Sequence, residues 1–100
     1  MKPNEIDSEI IMSLDMLRID DVLRKGRFSK STLYVLIKEK MWTAPVKQTF
    51  SRISGWPCYE VNQLLAAAIA GKSRDEIKTL VKDLEAKRKE LGAVNYANYR

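Results

Sequence analysis

From Arg27 to Met41 the chain reads RFSKSTLYVLIKEKM, and at helical spacing this run sorts its side chains onto two faces. Advancing about 100° per residue puts Ser31, Tyr34, Val35 and Lys38 on one side, with Lys30 and Thr32 on its flanks. Almost no acid stands among them. Hydroxyls and amines beside an aromatic ring and a bare isopropyl group can meet phosphate oxygens, base edges and thymine methyls in a DNA major groove. In other surroundings such a face would only meet water, so the reading depends on what positions it.

Other chemistry is poorly supplied. The chain has no His and one Cys, Cys58, so a Cys/His zinc site and an internal disulfide both lack their residues, and a reducing compartment suits it. Nucleophilic catalysis of the Ser-His-Asp or Cys-His kind lacks its base, and neither a Walker loop nor a GxGxxG fingerprint occurs. The carboxylates fall at ordinary helix-surface spacing. The chain therefore reads as a non-enzyme with no cofactor and no metal. Cys58, at the start of a helix, reads as passive.

Charge placement points the same way as the helix. Eighteen Lys and Arg against thirteen Asp and Glu give +5, which suits a polyanionic partner. Residues 1–15 carry −3, whereas 16–56 carry nine bases against three acids, +6. The positive field is centred on the candidate reading helix.

The elements that position that helix follow from caps and periodicity. One hundred residues, 45% of them apolar, suffice for one core. Asp20 would cap a short helix over 21–25 that turns Val22 and Leu23 inward and stops at Gly26. Phe28 stands as an apolar staple ahead of Ser29, the N-cap of the reading helix, whose inward stripe is Leu33, Leu36, Ile37 and Met41. Two helices across so tight a turn make a helix-turn-helix reading. Residues 42–56 predict a β-hairpin, with strands over 46–50 and 53–56 and Ser51 and Arg52 at the turn. As a wing it would present Lys47, Gln48, Arg52 and Ser54 to a phosphate backbone or minor groove; as a plain hairpin it would only cover the core.

Pro57 suits the first position of a helix burying Val61, Leu64, Leu65, Ala68 and Ile69 and ending at a left-handed Gly71. Ser73 and Glu76 form a capping box, after which Ile77, Leu80, Val81, Leu84 and Leu91 run as a seam to a stop at Gly92. That seam either folds back on the domain, the preferred reading, or meets a second copy. The organisation expected is an acidic extension over 1–15, whose Ile6, Ile10, Ile11 and Leu14 suggest a weak or partner-dependent helix, a winged helix-turn-helix over 16–71, a C-terminal helix over 72–92 and a flexible tail over 93–100. The fold class is mainly α with a small β-hairpin.

The run over residues 17–84 resembles the AlpA family of prophage regulators. The resemblance is carried by SKSTLYVLIKE, the APVK step, SGW before a helix, and YEV followed by AAAIAGKS. It implies a small winged helix-turn-helix related to MerR-like and excisionase DNA-binding domains. It further implies an activator of an integrase gene on a prophage or genomic island, or a recombination directionality factor that bends attachment-site DNA. Carried across by residue, it selects Ser29, Lys30, Ser31, Thr32 and Tyr34 on the helix and Lys47 and Arg52 on the wing. The chain departs from the family where Val35 replaces a frequent base and where Arg27 replaces the usual glycine. The partners expected are double-stranded DNA, with room for a homodimer or a multimer along DNA and for integrase contact. No membrane segment is apparent and the location expected is cytoplasmic, on the bacterial nucleoid. The rival function is a protein-interaction adaptor that never meets DNA.

Overall fold

The structure is a computed structural model and describes residues 15–47, 49–50 and 52–91. Among these, β1 (Met16–Leu17), α1 (Ile19–Gly26), α2 (Lys30–Lys38), β2 (Val46–Lys47), β3 (Ser54–Pro57), α3 (Cys58–Ile69) and α4 (Arg74–Leu91) follow in order. The expected acidic extension up to residue 14, the stop at Gly92 and the tail lie outside the described residues.

The fold is mainly helical, with a three-stranded antiparallel sheet ordered β1-β3-β2. The hairpin reading is corrected by one strand. Met16 pairs with Pro57 and Leu17 with Trp56, while Val46 pairs with Gly55 and Lys47 with Ser54. Close approach of β1 requires glycine at 55, since a Cβ there would stand 2.6 Å from the Leu17 carbonyl oxygen. Both hairpin strands are also displaced: β2 ends at Lys47, Thr49 and Phe50 form a turn, and β3 runs on through Pro57. Pro57 therefore closes a strand and caps α3 instead of opening that helix.

The α1–α2 unit is built from local hydrogen bonds. α1 begins at Ile19 with Arg18 as its cap, two residues before the Asp20 cap expected, and the Asp21 carboxylate accepts the Arg18 N–H at 3.1 Å. Asp21 also pairs with Arg24. Arg27 takes the left-handed conformation, φ 58° and ψ 40°, and returns its N–H to the Leu23 carbonyl at 2.8 Å. The turn usually built on glycine is thus made here by arginine. α2 opens on Ser29 as its cap sequence predicts, but it ends before Met41. Lys40, φ 64°, and Met41 fold their N–H groups back onto Ile37 at 3.1 Å and Leu36 at 2.8 Å, so Met41 leaves the inward stripe.

The core joins α1, α2, the sheet, α3 and α4 through Val22, Leu33, Trp56, Val61, Leu64, Val81 and Leu84. Burying Leu33 completely stabilises the α2 anchor by roughly 1.5–3 kcal/mol. Phe28 meets Trp42 edge-on, ring centroids 5.5 Å apart, and Trp56 Nε1 donates to the Thr43 carbonyl at 2.8 Å. On α3 the buried residues lie in its first two turns: Tyr59, Glu60, Val61 and Leu64. Its last turn runs past the core, which corrects the inward assignment of Ala68 and leaves Ile69 87% exposed. Gly71, φ 77°, then reverses the chain.

α4 starts on the capping box predicted, Ser73 N–H to Glu76 at 3.0 Å and Glu76 N–H to Ser73 at 3.2 Å. Its seam folds back: Val81 and Leu84 are buried, and Ile77, Leu80 and Leu91 pack against the same core. Polar bonds add to this. Glu85 accepts the Ala44 N–H at 2.8 Å, and Arg88 donates to the Ala44 carbonyl at 2.6 Å and to both oxygens of Glu60. Among the described residues no helix is long and apolar enough to cross a membrane.

Candidate nucleic-acid interface

Ser29 holds the start of α2. Its hydroxyl accepts the Thr32 N–H at 3.1 Å and donates to the Thr32 hydroxyl at 3.0 Å. The Ser29 and Thr32 hydroxyls are thereby tied to each other at the cap, and the exposed Ser31 hydroxyl stands next to them. α1, α3 and α4 each carry an acid in the first turn, whereas α2 carries none. The partial positive charge at its N-terminus is therefore not offset by a carboxylate from its own first turn, and Lys30 stands beside it.

Along α2, Lys30, Ser31, Thr32, Tyr34, Val35 and Lys38 are all exposed, and Leu33 on the reverse is fully buried. Tyr34 and Val35 are 51% and 52% exposed, so a ring and an isopropyl group stand outward between the polar groups. The α4 seam leaves this strip open. Glu39, the one acid over residues 22–59 against eight Lys and Arg, is engaged at 3.5 Å by Arg74. Lys30 and Lys38 face no carboxylate partner among the described residues.

The β2–β3 segment supplies the second group. Lys47 and Ser54 are register partners and so share a face of the sheet; both are exposed. Arg52 is exposed in the connecting loop, and Lys47 and Arg52 likewise lack a carboxylate partner among the described residues. Gln48 lies outside the described residues. Sequence reasoning missed Phe50, taken as a strand residue but 97% exposed in the turn. Its only advance signal was an aromatic lodged among polar residues between Lys47 and Arg52.

Elsewhere the acids serve structure. Hydrogen bonds from Arg24 and from the Arg18 N–H hold the Asp21 carboxyl below the usual range, and those from Ser73 do the same for Glu76. Burial works against the Arg88 charge, but the hydrogen bonds and charge of Glu60 outweigh it and raise its pKa above the ordinary arginine value. Asn62 Nδ2 donates to the half-buried Cys58 sulfur at 3.5 Å. No group of three or more His, Cys, Asp or Glu able to hold a metal occurs among the described residues. A shallow groove at α3, α4 and their connection, lined by Ala67, Lys72, Glu76, Thr79, Leu80 and Asp83, contains none of the DNA-contact residues expected from sequence.

Comparison with known protein families, with curated proteins and with solved structures returns no match.

Proposed function

We propose that the protein is a sequence-specific DNA-binding regulator of the AlpA-like winged helix-turn-helix kind, laying α2 in the major groove and the β2–β3 wing on the backbone. The observation that carries this reading is the acid-free, exposed face of α2, Lys30, Ser31, Thr32, Tyr34, Val35 and Lys38, with its reverse anchored by Leu33. Lys30, Lys38, Lys47 and Arg52 supply phosphate contacts. Thr32, Tyr34 and Val35 supply base-edge and methyl contacts. The adaptor reading uses the wing and the C-terminal helix to bind another protein, and the seam of that helix packs against the protein's own core.

Within this class, the protein acts as an activator of an integrase gene or as a directionality factor bending attachment-site DNA. Circular-permutation gels separate the two, strong bending at an attachment site favouring excision. The primary test is selection from a random duplex library, followed by anisotropy titrations across salt. Wild type should enrich a short motif, and Lys30→Ala and Arg52→Ala should each reduce the slope of log K against log salt by about 0.9. Enrichment of no duplex, or unchanged binding in both variants, overturns the proposal.

A further inference from the structure

Resting on the duplex-binding reading, we infer that Phe50 is a wedge which enters a base step and kinks the DNA under the wing. Phe50 is 97% exposed, the most exposed of the large apolar residues described. It sits in the turn between β2 and β3, with Lys47 before it and Arg52 after it. The nearest acids along the chain on either side, Glu39 and Glu60, are engaged by Arg74 and Arg88. An uncovered phenyl ring therefore projects within a positive field.

That combination suits one surface better than others. The cations draw the turn onto phosphates, beside which the base stack offers a planar ring an apolar slot of its own shape. Apolar side chains inserted at base steps unstack them and kink a duplex by about 20–90°, and the bend brings more DNA against the protein. Steps that open most easily, TA and CA/TG, should be preferred at that position even without hydrogen bonds to their edges. A membrane or an acidic protein would also attract the cations, but neither offers a stacked slot matched to a planar ring.

The test uses the full chain and the duplex enriched by selection, with 2-aminopurine placed at successive steps and dyes at the two ends. Wild type should brighten 2-aminopurine at one step and shorten the end-to-end distance. Phe50→Ala should lose both signals and Phe50→Leu should retain much of each, while the salt slope stays as in wild type. Replacing the step by a stiff A-tract should weaken wild type more than Phe50→Ala. If Lys30→Ala weakens binding but Phe50→Ala brightens and bends as wild type does, the wedge is overturned and the DNA-binding reading stands. If wild type enriches no duplex, both are overturned. With Phe50 almost wholly exposed, loss of folding does not complicate the variant.

Discussion

Arg88 of α4 grips Glu60 of α3 as a two-pronged fork, Nε to Oε2 at 2.7 Å and Nη2 to Oε1 at 2.8 Å, and the Glu60 side chain is wholly buried. The same guanidinium reaches the Ala44 carbonyl at 2.6 Å, in the segment that leaves α2 for β2. One side chain therefore ties the C-terminal helix both to the core helix and to the connection between the two proposed DNA-contacting elements. Bidentate geometry of this kind suits arginine and not lysine.

Removing one partner strands the other charge. Arg88→Ala and Glu60→Gln are each expected to cost about 3–5 kcal/mol in urea unfolding, and the pair together less than the sum. Additive losses in the double-mutant cycle would show that the fork carries no coupling.

The starts of α2 and α4 were legible in the sequence because their caps are local: Ser29 reaches Thr32, and Ser73 exchanges bonds with Glu76, each three residues on. The ends of α1 and α2 were not, although Gly71 takes the left-handed conformation expected after α3. Arg27 and Lys40 take left-handed conformations that sequence reading assigns to glycine, so α1 gained a different stop and α2 lost Met41. β1 was hidden because two residues show no alternation and their partner lies some forty positions away. The outward face of α2 was legible from period alone, since burying Leu33 dictates which residues point out. Arg88 was not, because charged residues on a long helix look solvated until Glu60 and Ala44 are brought beside them.

Gly55→Ala should disrupt the seat of β1. The added methyl carbon meets the Leu17 carbonyl oxygen, a backbone atom with little freedom to retreat. Overpacking of this sort costs typically about 1–3 kcal/mol. Hydrogen exchange should show faster exchange at the Cys58 amide, which donates to Asp15 beyond the β1 pairs at 2.7 Å. Unchanged protection there would mean that the sheet accommodates the methyl.

Tyr59 makes stability depend on alkaline pH. Burial, helped by the charge of Glu60, pushes its phenol from 10.0 up to about 12. The folded chain therefore keeps a proton that the unfolded chain gives up. The contribution is fully present below pH 10 and is lost as pH rises toward 12. The phenol oxygen has no hydrogen-bond partner among the described residues, so Tyr59→Phe should be close to neutral at pH 8. At pH 11 the variant should be the more stable chain in urea titrations. Equal alkaline losses in both would remove Tyr59 as their source.

In the proposed complex Val35 bears on how the duplex sequence is read. It stands 52% exposed on the open face of α2, beside Tyr34, with no polar atom in its side chain. Such a group discriminates bases only by apolar contact, and the thymine methyl is the apolar feature of the major groove. Replacing thymine by uracil, one position at a time in the enriched duplex, removes that methyl alone. One such replacement should weaken wild type by roughly 0.8 kcal/mol, about fourfold. Val35→Ala, which favours the helix slightly, should bind the thymine and uracil duplexes alike. Should every uracil duplex bind wild type as tightly as its thymine parent, Val35 takes no part in base selection, and the polar groups of α2 must carry it.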